Sequence, residues 1–161
     1  MENHPAPPGP ASEAAGSARQ ATPQQARFIF DEWDLRARTL DVPGLLDLYT
    51  DDAVLESPLV PRILGRPGGV LRGKAELEHF FTEGGRRRPN ELVRWRRTGT
   101  YLWDGRILSW EYQRAAPDGD QVDIAEVMEL AGGRIAAHRI YWGWFGTEML
   151  IGNALKHTHT R

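Results

Sequence analysis

Cysteine is absent from this chain of 161 residues, which excludes disulfides, thiolate nucleophiles and cysteine-ligated zinc or iron–sulfur sites. A strong charge of either sign is also missing, because 20 basic residues face 22 acidic ones and the formal net charge is -2. This balance argues against a nucleic-acid partner. No apolar run approaches the roughly 18 residues of a membrane helix, and the first residues do not resemble a secretory signal. We therefore expect a cytoplasmic protein with no membrane partner.

Hydrophobic residues make up 40% of the chain and charged residues 26%, values typical of a single globular domain. Residues 1–21 are rich in proline, alanine, glycine and serine and contain no aromatic or β-branched side chain. Such a composition cannot build a core, so it predicts a disordered tail. The ordered domain is expected over residues 22–151, followed by a polar tail over residues 152–161.

Three helices are predicted in the first half of the chain, over residues 22–39, 41–49 and 75–81. Thr22 can cap the first, with Gln25 completing a capping box, and Asp41 can cap the second. Gly84 and Gly85 are expected to end the third. A short strand is predicted at residues 53–57, before a long loop rich in proline and glycine.

The second half of the chain has the pattern of strands joined by tight turns. The predicted strands cover residues 92–101, 107–114, 121–130 and 134–144, with turns at residues 103–106, 117–120 and 132–133. Helices followed by consecutive hairpin-connected strands predict an α+β fold, in which the helices cover one face of an antiparallel sheet.

One carboxyl group interrupts an apolar strand face. Alternate positions of the strand over residues 121–130 are apolar except for Glu126, where desolvation disfavours a charge unless a donor or positive group compensates. His138 lies on the inward face of the last strand, and hairpin registers would bring it beside Glu126. Large side chains occupy the neighbouring positions: Trp110, Tyr112, Met128 and Trp142.

An acid and an imidazole inside an aromatic-walled concavity are typical of general acid/base chemistry on a hydrophobic substrate. Our hypothesis makes Glu126 the acid or oxyanion donor and His138 its partner base. The alternative is that the two side chains hydrogen-bond to each other, or to arginines, in a filled core. Glu56 is a reserve base, and its alternative role is that of a solvated or interface carboxylate.

Several stretches occur in an order and spacing that resemble the nuclear transport factor 2-like superfamily, and within it the SnoaL-like and ketosteroid-isomerase-like proteins. They are LYTDDA at residues 48–53, LRGK at residues 71–74, and the segment from GRI at residues 133–135 to Tyr141-Trp142. The resemblance spans about residues 22–144. It implies a cone-shaped fold, in which a curved antiparallel sheet wraps around three N-terminal helices and a pocket opens between them, often in homodimers.

Ketosteroid isomerases use a proton-shuttling aspartate, an oxyanion-binding tyrosine and a protonated aspartate. By position these correspond to Ser57, Trp33 and Glu126 in this chain. Serine without a base is a poor proton shuttle and indole lacks the acidity of a phenol, so steroid isomerisation by that mechanism is not expected. Glu126 keeps the acid function.

The resemblance to SnoaL-like cyclases, hydrolases and dehydratases implies proton-transfer chemistry with no metal and no organic cofactor, as in polyketide biosynthesis. The expected substrate is small and hydrophobic, either free or delivered as a carrier-protein or coenzyme A thioester. The expected substrate-binding residues are Trp33, Ser57, Trp110, Tyr112, Met128 and Trp142. The alternative is a non-catalytic ligand-binding or dimerisation module whose pocket is filled by side chains.

Three other features have ordinary explanations. The arginines at residues 86–88, 94, 96 and 97 could bind an anionic partner, although a solvated loop and a charged edge strand explain them. His157 and His159 lack a further metal ligand nearby and are assigned to the tail. The aromatic run at residues 141–145 suits the core and cavity wall, or a dimer face where its members are exposed.

Overall fold

The computed structural model describes residues 20–86, 94–97, 99–115, 121–148 and 150. Most of the predicted N-terminal tail, the turn at residues 117–120, Arg87 and Arg88, and the polar C-terminal tail lie outside these ranges. Ala21, the last residue of the predicted N-terminal tail, is described and is buried. Within these ranges, no helix combines the length and the apolar character needed to cross a membrane.

Helix α1 (Pro23–Thr39) begins where the sequence predicts, because Thr22 and Gln25 cap it reciprocally. The Thr22 hydroxyl oxygen accepts from the Gln25 N–H at 3.2 Å, and the Gln25 side-chain oxygen accepts from the Thr22 N–H at 2.8 Å. The spacing of its apolar residues turns one face of the helix, including Trp33, toward the interior.

Helix α2 (Val42–Asp47) begins at its predicted cap. The prediction that it continues through Tyr49 is wrong, because strand β1 (Tyr49–Glu56) starts at that residue. The change occurs at Leu48, whose carbonyl accepts a hydrogen bond from the Ile135 N–H at 2.8 Å. Pairing with a distant strand therefore replaces a further helical turn.

The segment after β1, predicted as one long loop, contains regular structure. It forms helix α3 (Val60–Leu64) and strand β2 (Val70–Arg72). The third helix predicted, over residues 75–81, is confirmed as helix α4 (Gly73–Arg86). Helix α4 continues through Gly84 and Gly85, so the prediction that it ends there is wrong. A Cβ atom would lie 3.3 Å from the Ile63 side chain at Gly84, and 3.1 Å from the Leu40 side chain at Gly85. These glycines allow helix α4 to pack closely against the side chains of Ile63 and Leu40.

Five strands follow in the described part of the second half: β3 (Arg94–Arg97), β4 (Leu102–Trp103), β5 (Ile107–Ala115), β6 (Gln121–Ala131) and β7 (Arg134–Trp142). Of the described residues in the strand predicted over residues 92–101, those at 94–97 are in a strand and those at 99–101 are not, and Gly99 has a φ of 81°. The turn between β4 and β5 is confirmed, since the Asp104 carboxylate accepts from the N–H groups of Arg106 and Ile107. Strand β7 ends before residue 144, and residues 144–148 are helical.

The strands form a curved, unclosed sheet in the order β2-β1-β7-β6-β5-β3, with β4 also paired to β5. The neighbours are antiparallel except β1 and β7, which are parallel. The α+β cone is therefore confirmed, but the expectation of a purely antiparallel sheet is wrong for this pair. The hairpin turns predicted from the sequence connect β4 to β5, β5 to β6 and β6 to β7, and none connects β1 to β7.

The inner face of the sheet follows the alternation read from the sequence. Strand β6 buries Val122, Ile124, Glu126, Met128 and Leu130. A register shift opposite Glu129 and Leu130 leaves Ala136 of β7 without a partner, so Ile135 and His138 both point inward although they are three residues apart. This bulge aims the imidazole into the domain.

Candidate active site

Glu126 and His138 are in direct contact inside the cone. The distance between Glu126 Oε2 and His138 Nε2 is 2.5 Å, and neither residue has any exposed surface. Their strands are adjacent, with Met128 opposite His138 in the register, so the two side chains are diagonal neighbours on one face. The contact expected from the sequence is therefore present.

Two tyrosines extend this pair into a longer chain of hydrogen bonds. The Tyr112 hydroxyl donates to Glu126 Oε1 at 2.9 Å, and Tyr49 Oη lies 2.9 Å from His138 Nδ1. The Trp33 indole N–H donates to Tyr49 Oη at 2.9 Å. We call these five side chains the buried network: Trp33, Tyr49, His138, Glu126 and Tyr112.

Tyr49 is the member of the buried network that sequence reasoning missed. It was assigned to the end of a helix, and its partner His138 is 89 residues away along the chain. The sequence holds a local signal in the alternate apolar positions Tyr49, Ala53 and Leu55, which are interrupted only by Asp51. The structure buries these three and exposes Asp51 and Asp52. Such alternation, although imperfect, is more typical of a strand than of a helix.

Burial sets the protonation of both phenols. Desolvation raises the pKa of the Tyr49 hydroxyl well above its usual value, and the charge of Glu126 raises it further while the Trp33 hydrogen bond lowers it. Burial also raises the pKa of Tyr112, with additional contributions from the charge of Glu126 and the hydrogen bond to it. Both hydroxyls therefore stay protonated at neutral pH and remain available as donors.

Aromatic rings fill the space around the imidazole. The Trp33 ring packs edge-on against His138, with centroids 5.5 Å apart, and Trp110 lies 5.8 Å from Trp33 and 5.3 Å from Phe30. Four of the predicted substrate-binding residues belong to this interior and are at most 5% exposed: Trp33, Trp110, Tyr112 and Met128. In this conformation they form a packed core around the acid and the imidazole.

The other two predicted substrate-binding residues, Ser57 and Trp142, line a surface cleft of about 620 Å³. We call it the β7 cleft, because four consecutive residues of that strand contribute to its wall: Arg139, Ile140, Tyr141 and Trp142. Ile140 also lies directly opposite Glu126 in the β6–β7 register, on the same face of the sheet. The cleft and the buried network therefore meet at Ile140.

Glu56 lines the β7 cleft but is not brought to the acid–imidazole pair. In the parallel register Leu55 lies beside His138 and Glu56 beside Arg139, so the Glu56 side chain points to the opposite face. Glu56 is exposed, whereas the next residue, Ser57, is buried and its Oγ accepts from the Leu59 N–H at 3.2 Å. The base role suggested for Glu56 stays a prediction that this geometry does not favour.

Four further sequence features are placed by the structure only in part. The described strand β3, which holds residues 94–97, is at one end of the strand order, as expected of a charged edge strand. Arg86 pairs with Glu83 at 2.9 Å on the surface. Tyr141 and Trp144 are 54% and 76% exposed. His157 and His159 lie outside the described residues.

Residues 27–138 match the family model of the SnoaL-like domain. The chain belongs to the SnoaL-like family. The matched segment ends at His138 and contains all five members of the buried network. None of the curated proteins compared with this SnoaL-like chain matches it.

Solved structures share the fold of this SnoaL-like chain. A SnoaL-like protein of unknown function from Burkholderia thailandensis is 22% identical, with a TM-score of 0.63 over 78% of this chain and 99% of that one. A nuclear transport factor 2-like protein of unknown function from Burkholderia pseudomallei is 17% identical, with a TM-score of 0.59 over 79% and 97%. A protein from Kribbella flavida described as a candidate ketosteroid isomerase is 15% identical, with a TM-score of 0.58 over 75% and 79%. These likenesses establish the fold and not an activity.

Proposed function

We propose that this SnoaL-like protein is an enzyme that performs cofactor-independent acid/base chemistry on a small hydrophobic substrate. Cyclisation, isomerisation, dehydration and epoxide opening all belong to this reaction class, and polyketide or other secondary-metabolite biosynthesis is a fitting context. The observation that supports the proposal is the 2.5 Å contact between a carboxyl and an imidazole that are both fully buried. Homodimerisation and a thioester-bound substrate stay predictions.

The chemistry follows from what a buried carboxyl–imidazole pair can do. The pair can take a proton from one position of a bound substrate and return a proton to another, without a metal or an organic cofactor. Apolar neighbours strengthen such an interaction, because they exclude water and lower the local dielectric. Trp33, Trp110 and Met128 provide these neighbours here.

The route to the pair runs through the β7 cleft. A cleft of about 620 Å³ is large enough for a small organic molecule. Its wall includes Ile140, the residue opposite Glu126, and this side chain is only partly buried. A substrate held in the cleft would reach the carboxyl by displacing the Ile140 side chain.

Nitrobenzisoxazole tests this activity without knowledge of the natural substrate. A base removes its ring C–H proton, the electron pair of that bond forms the nitrile, and the N–O bond breaks to give a coloured phenolate. We expect the wild-type protein to accelerate this ring opening. Glu126→Gln should lower the rate by about a hundredfold or more, the contribution typical of a positioned general base.

Glu129→Gln is the matched control for this experiment. Glu129 lies on the same strand, but its carboxylate is bonded to Arg106 and Arg139 on the outer face. It should therefore keep the wild-type rate. Equal rates for the wild type and Glu126→Gln would contradict the proposed function, as would a wild-type rate no higher than that in buffer.

A non-catalytic ligand-binding module is the second candidate, and the closed interior favours it. Glu126, His138 and Tyr49 have no exposed surface, so the buried network also suits a purely structural role. In that case nitrobenzisoxazole would bind in the β7 cleft and quench tryptophan fluorescence at Trp142 without being turned over. Trp142→Phe would then remove the quenching.

A further inference from the structure

We propose that Tyr49, itself held by Trp33, is a positioning residue that fixes His138 as the Nε2–H tautomer. The imidazole is then a hydrogen-bond donor to Glu126, and Glu126 is the group that takes the substrate's proton. This assignment deepens the proposed function and rests on it for its catalytic meaning. It reverses the roles suggested by the sequence, in which His138 was the base.

The first step is to assign a direction to each of the two hydrogen bonds of Tyr49. A phenol has one hydrogen, and an indole N–H can only donate, so Tyr49 Oη must accept from Trp33. The remaining contact of Tyr49 is with His138 Nδ1 at 2.9 Å. Tyr49 is fully buried, and no other acceptor for its hydrogen is found among the described residues. The tyrosine hydrogen therefore points to Nδ1.

The second step concerns the opposite side of the imidazole. If Nδ1 accepts from Tyr49 it carries no hydrogen, so the ring hydrogen of neutral His138 must be on Nε2. Nε2 then donates to Glu126 Oε2 at 2.5 Å. Either alternative, a doubly protonated imidazole or a neutral Glu126 donating to Nε2, requires a hydrogen on Nδ1 and leaves the buried Tyr49 hydrogen without an acceptor.

The third step is the state of the carboxyl group. Glu126 Oε2 accepts from His138, and Oε1 accepts from the Tyr112 hydroxyl at 2.9 Å. A carboxylate accepts at both oxygens and donates at neither, so this pattern describes an ionised Glu126. Each oxygen has a second lone pair, whereas the single lone pair of the imidazole is bound by Tyr49.

The catalytic roles of Glu126 and His138 follow from which of the two still has a lone pair that can accept a proton. The substrate's proton moves to a Glu126 oxygen, and the electron pair of the broken C–H or O–H bond stays on the substrate. His138 and Tyr112 each donate a hydrogen bond to the carboxylate and hold its orientation. Tyr49 and Trp33 act through His138, since neither contacts Glu126 in the network.

Nitrogen-15 NMR of the full-length chain, labelled at histidine, tests the assignment directly. The chemical shift of each ring nitrogen reports whether it carries a hydrogen, and the His138 signals are identified by their loss in His138→Gln. We expect a bare Nδ1 and a protonated Nε2 in the wild-type protein at neutral pH. A protonated Nδ1, in either the opposite tautomer or the imidazolium, would overturn the proposal, and this measurement needs no variant of Tyr49.

Two phenylalanine substitutions separate positioning from packing. Tyr49→Phe removes the donor that keeps a hydrogen off Nδ1, while Glu126 still accepts from Nε2, so part of the Nδ1 signal should shift to the position of a protonated nitrogen. Tyr112→Phe removes a comparable hydroxyl on the carboxylate side and should leave the single tautomer in place. A single unchanged tautomer in Tyr49→Phe would contradict the role of Tyr49.

The NMR result and the nitrobenzisoxazole result fail independently. A bare Nδ1 in a protein that does not turn over the probe would remove the proposed function and leave the tautomer assignment intact. Turnover that depends on Glu126 in a protein with a protonated Nδ1 would remove the tautomer assignment and leave the proposed function intact.

Discussion

Ile140 is the residue at which the β7 cleft meets the buried network, so its size should control access to Glu126. We expect Ile140→Ala to lower the KM for nitrobenzisoxazole while kcat changes little, because the change removes an obstacle and not a reacting group. The shortened side chain should also cost about 1–2 kcal/mol of stability, below the range for a fully buried isoleucine. Steady-state kinetics and urea unfolding measure the two effects.

Val127→Ala provides the control for this prediction. Val127 is also partly buried on the same sheet, but it lies opposite Arg139 and faces away from Glu126. Its KM should match that of the wild type. A KM that rises or stays unchanged in Ile140→Ala would mean that substrates do not reach the carboxyl through the cleft.

Single residues differed in how much the sequence could reveal about them. Glu126 was found because it is the one charged residue on a face whose other members are apolar. His138 followed from strand pairing, which hairpin turns largely determine. Tyr49 was missed because its role depends on Trp33 and His138, and spacing along the chain does not encode such long-range contacts.

At the scale of elements, helix α1 offers a direct test of a feature read from the sequence. Thr22→Ala removes the hydroxyl that accepts from the Gln25 N–H, and it should lower the free energy of unfolding by about 1 kcal/mol. Thr39→Ala is the matched substitution at the other end of the helix, where the hydroxyl bonds back to the Leu35 carbonyl. It should cost less than about 0.5 kcal/mol. If urea unfolding gave the same loss of free energy for both variants, the Thr22 cap would stabilise the helix no more than an ordinary surface hydroxyl does.

Elements were predictable where local chemistry decides them. The caps at Thr22 and Asp41, and the turn at Asp104, are set by side chains bonding to nearby backbone groups. The prolines and glycines over residues 60–72 predict a loop and conceal one short helix and a three-residue strand. This strand forms only by pairing with β1, and local propensity carries no sign of that partner.

At the scale of the whole molecule, stability should fall at high pH because unfolding exposes Tyr49 and Tyr112. Burial raises the pKa of both hydroxyls, so the folded protein binds these protons more tightly than the unfolded chain does. Their contribution is complete below the unfolded pKa of about 10 and is lost as pH rises toward the folded pKa. The loss should approach about 1.4 kcal/mol per pH unit for each tyrosine. Urea unfolding at a series of alkaline pH values measures it.

Phenylalanine variants assign this alkaline loss to particular groups. Tyr49→Phe and Tyr112→Phe should each flatten the decline by the share of one hydroxyl, whereas Tyr141→Phe, at a side chain that is 54% exposed, should keep the wild-type slope. Stability that stays constant through the alkaline range would contradict the burial of the two phenols.

The parallel pairing of β1 with β7 joins two strands that are synthesised far apart in time. Tyr49 leaves the ribosome 89 residues before His138, so β1 exists throughout that interval without the strand that it joins. Contacts between such distant segments form slowly, because a long loop must close before they give any stabilisation. A nascent chain that ends between residues 126 and 137 has the phenol and the carboxyl but not the imidazole between them. The acid–base network is therefore completed only after β7 has been made, and an unpaired β1 has to be kept from other chains until then.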